Sequence, residues 1–118
     1  MQNYKTLSVW IAAHQLTLEV YRVSKSFPKA EIFGLTSQFR RSTVSVPANI
    51  AEGCGRFTNA DTARFFQIAL GSLHETEYYI TLSKELEFIT EQEFKKLNQI
   101  SNSTKAMLIN LIKKVRTK

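Results

Sequence analysis

The feature that most restricts this chain is the return of apolar residues at every third or fourth position, in four stretches separated by helix-ending residues. In the first stretch Val9, Ala13, Leu16, Val20 and Val23 form one stripe, and Leu7, Ile11, His14, Leu18 and Tyr21 form the next. A strand would alternate with a period of two, so this spacing selects helix. Two adjacent stripes make a wide apolar face, which suits a helix packed on several neighbours or one that also meets a second subunit. Pro28 disfavours helical geometry at Phe27, so the first helix is expected over residues 7–27.

Gly34 breaks the chain, and Leu35, Phe39, Val46 and Ile50 predict a second helix over residues 36–52. Ser42 to Val46 favour strand locally, and Pro47 would clash with the Thr43 carbonyl in an ideal helix. Because the spacing resumes at Ile50, a kink at Pro47 is expected rather than a break. Gly53 and Gly55 are expected to end this helix with positive φ. Thr58 followed by Asp61 has the form of a capping box and opens a third helix over 58–86, with Phe66, Ala69, Leu73, Thr76, Ile80 and Ser83 as its seam. Gly71, in mid-helix, costs about 1 kcal/mol relative to alanine, and a close approach by another helix is the expected compensation. Ile89, Thr90, Glu93 and Phe94 combine a capping box with a hydrophobic staple and start a fourth helix over 90–116, which carries Phe94, Leu97, Ser101, Thr104, Leu108, Leu111 and Val115 on one face. The short connection at 87–89 forces the last two helices antiparallel. The expected fold is therefore all-α, an antiparallel up-and-down four-helix bundle, with residues 1–118 as a single domain.

A chain of 118 residues buries roughly two-thirds of its unfolded surface on folding, enough for a core without disulfides or metal. The longest apolar run, Val9 to Ala13, is far short of the ~20 residues that span a membrane, and MQNYKTLSVW has neither the basic nor the apolar region of a secretory signal. The lone Cys54 cannot pair within the chain, which fits a reducing, cytoplasmic setting. The net charge of +6 is unevenly placed: residues 1–56 carry +4, residues 57–104 carry −3, and residues 105–118 carry +5. Cationic segments attract polyanions, of which nucleic acid is the commonest in cytoplasm, although such a charge also simply keeps a protein dispersed.

Little in the sequence points to catalysis, a metal or a cofactor. A di-iron bundle needs Glu-x-x-His on two helices, but Ile11 and Gly71 stand three before His14 and His74. A His74 and Glu77 pair is a poor metal site compared with a solvated histidine, and Cys54, near Arg56, lacks a placed histidine to activate it. Gly53-Cys54-Gly55 has no following Lys-Ser/Thr and follows a helix, so it is not a phosphate loop. The acidic group Glu75, Glu77, Glu85 and Glu87 reads as a solvated face. No catalytic residue and no small-molecule substrate are expected. The arginines offer more: Arg40, Arg41, Arg56 and Arg64 cluster around the second helix and its junction with the third, and the guanidinium fork holds phosphates in two-point contact. The same fork equally serves ion pairs with Glu52, Glu75 or a neighbouring subunit. Lys113, Lys114, Arg116 and Lys118 close the last helix, where cations also complement the helix dipole.

The run Leu35-Thr36-Ser37-Gln38-Phe39-Arg40-Arg41-Ser42, continued by Val44-Ser45-Val46-Pro47-Ala48-Asn49-Ile50-Ala51-Glu52-Gly53 and then Gly55-Arg56, resembles the signature of the 23S rRNA intervening-sequence proteins, also called the S23 ribosomal protein family. Val9-Trp10, Tyr21, Phe27-Pro28, Glu31 and Phe65 to Ser72 extend the likeness through the third helix, while the fourth is similar mainly in pattern. The resemblance implies a non-enzymatic four-helix bundle assembling as a ring, typically a pentamer, with a basic surface. It also implies kinship with the accessory variability determinant of diversity-generating retroelements, which binds nucleic acid and a reverse transcriptase. By that analogy RNA or DNA, and a protein partner, are expected here, with no membrane association. The net acidic stretch 57–104 departs from the basic character of such relatives.

Overall fold

The four apolar stretches fold as helices α1 (Ser8–Ser24), α2 (Leu35–Cys54), α3 (Asn59–Glu85) and α4 (Glu91–Arg116), with single 3₁₀ turns at Tyr4–Thr6 and Lys29–Glu31. This computed structural model describes residues 2–117, so Lys118 lies outside the described residues. Each helix packs on its two neighbours, α1 on α2, α2 on α3, α3 on α4 and α4 on α1, which is the up-and-down bundle read from the spacing.

Helix starts and stops follow local chemistry. α1 stops at Ser24, three residues before the expected end, and turns so that Phe27 is buried beside Phe39 and Phe88, with ring centroids 6.2 and 5.4 Å away. α2 has no capping side chain at Gly34. Instead the Glu31 carboxylate accepts from the Leu35 amide at 3.0 Å, an anion at the positive end of the helix dipole. Thr58 accepts from the Asp61 amide, and Thr90 with Glu93 forms the complete reciprocal box.

The stripe Val9, Ala13, Leu16, Val20 and Val23 is buried, as is the whole expected seam of α3. On α4 the buried face is Leu97, Ser101, Thr104, Leu108, Ile112 and Val115, so Ile112 takes the place expected for Leu111, which like Phe94 is half-buried. Halfway along the bundle the core turns polar, where the Thr76 hydroxyl donates to Ser42 Oγ at 2.9 Å. The second stripe of α1 faces outward, leaving Ile11 and Leu18 about half exposed and Tyr21 two-fifths exposed.

Two expectations about glycines are corrected. No described glycine has positive φ: α2 runs on through Gly53 to Cys54, and Gly55 sits at φ −90°. Gly53 is required by closeness instead, because a Cβ there would stand 2.7 Å from the buried Phe66 ring and 3.1 Å from the Thr62 carbonyl oxygen. Among the described residues, nothing from another helix stands within 4 Å of a would-be Cβ at Gly71, so the expected close approach is not made within this bundle. The sharp backbone lies elsewhere, at Glu87, whose φ of 62° turns α3 into α4.

The up-and-down course brings the start of α1, the end of α2, the start of α3 and the end of α4 to one end of the bundle. There the Gln2 amide donates to the Cys54 carbonyl at 3.2 Å.

Candidate nucleic-acid interface

That end gathers cations from distant parts of the sequence. Lys5, Arg56, Arg64, Lys113, Lys114 and Arg116 stand there, against Glu52 and Asp61. Towards the opposite end Arg22, Lys25, Lys29, Arg40, Arg41, Lys84, Lys95 and Lys96 are matched by Glu19, Glu31, Glu75, Glu85, Glu87, Glu91 and Glu93, so the charges there nearly cancel. The acidic stretch 57–104 therefore lies mostly away from the cationic end, and Lys105 is neutralised along the flank by Glu77 at 2.9 Å.

The α2–α3 junction sets the geometry of this end. Arg56 follows the last turn of α2, its amide donating to the Gly53 carbonyl at 3.2 Å, and its guanidinium pairs with Glu52. It also lies 4.5 Å over the Phe65 ring centroid, and its Nε, buried there, has no acceptor among the described residues. Arg64 approaches the same ring at 4.4 Å and stands 3.6 Å from Asp61. On its other side Arg64 lines a groove of roughly 580 Å³ with Asn59, Gln67 and Arg116. Arg56, Phe65, Arg64 and Arg116 thus form a continuous arc from α2 across α3 to α4. Both acid partners are exposed, and exposed ion pairs contribute only about 0–1 kcal/mol, so a phosphate can take their place.

The sequence grouped Arg40 and Arg41 with Arg56 and Arg64, and the structure separates them. Arg40 and Arg41 lie in the second turn of α2, about 20 Å along the helix axis from its far end. Arg40 is half-buried: its Nε donates to Ser24 Oγ at 2.8 Å and its guanidinium lies 4.7 Å over the Tyr21 ring centroid, joining α2 to α1. Arg41 is exposed at the rim of a small polar pit that it shares with Ser45, Ser72 and Glu75, away from the arc. Lys113, Lys114 and Arg116 are all exposed at the cationic end.

Two aromatic residues of this end escaped the reading of the sequence. Phe57 is 90% exposed, directly beside Arg56, and Phe65 is the ring both guanidiniums use. The signal was present as two Arg-Phe dipeptides, Arg56-Phe57 and Arg64-Phe65. Of the other groups weighed in the sequence, His74 is exposed and Glu77 is paired with Lys105 rather than with it. Cys54 is buried, which pushes its thiol pKa up and away from reactivity; the His14 ring is stacked 4.9 Å from Trp10.

A family model described as 23S rRNA-intervening sequence protein matches residues 5–110, nearly the whole chain. The chain belongs to that family. Among solved structures, a protein of unknown function from the S23 ribosomal protein family of Bacteroides thetaiotaomicron is similar, with 28% identity and a TM-score of 0.82. The match covers 89% of this chain and 98% of that one, so most of the bundle is shared. No curated protein matches the chain. The residues that resemble the intervening-sequence signature run along α2 into the junction, and so include both Arg40, tied to α1, and the Arg56 end of the arc.

Proposed function

We propose that this intervening-sequence protein is a non-enzymatic, self-associating bundle of the cytoplasm that binds RNA or DNA through its cationic end. The observation that carries the reading is the convergence of Arg56, Arg64, Lys113, Lys114 and Arg116 at one end of the bundle, with acids few and solvent-exposed. Phosphate binding there follows from counterion release and from the two-point fit of guanidinium to phosphate. Self-association is supported by the outward stripe of α1, where Ile11, Leu18 and Tyr21 leave more apolar surface than one bundle core uses. Neither activity calls for a metal, a cofactor or a small-molecule substrate.

Binding of a labelled mixed-sequence oligonucleotide, followed by anisotropy across a salt series, tests the reading. Replacing Arg56, Arg64 and Arg116 with glutamine is expected to keep the helical content and to lower the salt slope by about 0.7–0.9 for each lost phosphate contact. Arg41→Gln, away from the arc, is expected to leave affinity within twofold. Unchanged affinity and slope in the triple variant would move the function elsewhere.

The second reading, a protein-binding scaffold, draws on a mainly apolar groove between α1 and α4 lined by Ile11, Ala12, Gln15, Gln99, Ile100 and Lys96, whose charge is paired with Glu19, beside the same outward stripe. A partner held there would bind with little dependence on salt.

A further inference from the structure

Phe57 is solvated over nine-tenths of its surface, yet it stands in the α2–α3 connection between Arg56 and the Thr58 cap, where the backbone is fixed on both sides. Gly55 and Arg56 amides bond back to Glu52 and Gly53 carbonyls at 3.1 and 3.2 Å, and the Asp61 amide donates to Thr58 Oγ1 at 3.1 Å. An apolar ring is therefore held out into water on a short, well-anchored connection, next to a guanidinium that is itself pinned over Phe65. The other exposed aromatic side chains are placed differently: Phe33, as exposed as Phe57, stands two residues after Glu31, Tyr78 lies on α3 beside Glu75 and Glu77 in sequence, and Tyr21, only two-fifths exposed, is covered by the Arg40 guanidinium.

We infer that the nucleic acid taken by the cationic end is single-stranded, with an unpaired base stacked on Phe57 while Arg56, Arg64 and Arg116 hold the flanking phosphates. The inference rests on the nucleic-acid reading above and narrows it. In a duplex each base face is covered by its neighbours, so an aromatic ring on the protein has nothing to stack on; an unpaired base presents both faces. Stacking platforms interleaved with arginines are the arrangement by which proteins hold single strands without reading their sequence. The guanidiniums of Arg56 and Arg64 both lie over the Phe65 ring, and a phosphate that displaces the exposed Glu52 and Asp61 carboxylates meets groups already positioned there.

The test compares a labelled 12-nucleotide mixed-sequence single strand with the corresponding duplex, by anisotropy at one salt concentration. The proteins are the full chain, Phe57→Ala, Phe57→Trp and the Arg56/Arg64/Arg116 glutamine variant, each checked by sedimentation. Phe57→Ala is expected to weaken single-strand binding roughly 5- to 150-fold and to leave duplex binding within twofold, while Phe57→Trp retains or improves single-strand affinity. Equal losses for both ligands, or no loss while the glutamine variant still loses affinity, would overturn the inference and leave the nucleic-acid reading standing. Absence of salt-dependent binding in the unmodified chain would remove that reading itself. A smaller particle for Phe57→Ala in sedimentation would show that a second copy covers the ring, and would equally overturn the inference.

Discussion

The Thr17 hydroxyl of α1 lies 3.1 Å from the carbonyl oxygen of Thr43 in α2, which is the acceptor that Pro47, lacking an N–H, leaves without its helical donor. The same hydroxyl lies 2.9 Å from the Ala13 carbonyl, so its single proton is shared between its own helix and its neighbour. Thr43 is fully buried, where an unpaired carbonyl is costly. Thr17→Val is therefore expected to destabilise the fold by about 1–3 kcal/mol, and Thr17→Ser to cost less. In a Pro47→Ala background residue 47 again carries an N–H, and Thr17→Val should cost about 1 kcal/mol less than it does alone. Urea unfolding of the four proteins measures this coupling. Strict additivity would mean that the Thr43 carbonyl has another donor.

How much of this was legible in the sequence depended on whether the signal was local. The caps Thr58 and Thr90, the buried stripe of α1 and the seam of α3 were all readable, because each is set by spacing within one helix. The Thr17 tie was not, since its partners stand 26 residues apart. The turn at Glu87 was hidden for another reason. The Phe88 amide donates to the Ser83 carbonyl at 2.8 Å and the Glu87 amide to Lys84 at 2.9 Å, a helix ending that usually places glycine where Glu87 stands. At the candidate site, the individual arginines were visible but their grouping was not. Arg40 and Arg56 are close in sequence and belong to opposite ends, whereas Arg64 and Arg116 are far apart in sequence and line one groove.

Gly53 and Gly55 look interchangeable in sequence and should respond differently to alanine. At Gly53 the added methyl meets the Phe66 ring and the Thr62 backbone, neither of which has free space to enter, so Gly53→Ala is expected to cost about 1–3 kcal/mol. At Gly55 the nearest atom would be the Glu52 carbonyl oxygen at 3.5 Å, an ordinary contact, and φ is negative. Gly55→Ala should leave stability unchanged within about 0.5 kcal/mol. Thermal unfolding of the two variants would decide it, and equal effects would contradict the close packing of α2 on α3.

Glu19 gives the fold a defined sensitivity to acid. Its buried carboxylate is held below its ordinary pKa chiefly by Lys96 at 2.9 Å, against an opposing effect of burial, with Arg22 at 2.8 Å adding to the lowering; Glu93, 3.8 Å from Arg22, shares that cation. A lowered folded-state pKa means that the unfolded chain binds the proton more readily. The stabilisation is then complete above the unfolded-state value of about 4.3 and is lost as pH falls through the lower folded value. Glu19→Gln should cost about 1–3 kcal/mol at neutral pH. That cost should shrink as pH drops below ~4, because the unmodified chain loses the same interaction there. A cost that stayed constant from pH 7 to 3 would show that the charge of Glu19 contributes nothing.

Gly71 carries the sharpest consequence for assembly. A glycine in mid-helix is less favourable than alanine by about 0.8–1.0 kcal/mol, and here nothing from another helix among the described residues comes within 4 Å to exploit the missing side chain. Within one bundle Gly71→Ala should thus be stabilising by close to that amount. Its helix face also carries Ile68 and Glu75, both exposed, on a different helix from the outward stripe of Ile11, Leu18 and Tyr21 proposed for self-association. If the stripe on α1 forms the subunit contact, Gly71→Ala should raise the unfolding temperature while leaving sedimentation unchanged, and Leu18→Gln should do the reverse, weakening association with little loss of helix. A methyl at position 71 that dissociated the assembly would place a neighbouring subunit against α3, because only a backbone packed close to that glycine would be displaced by so small a group.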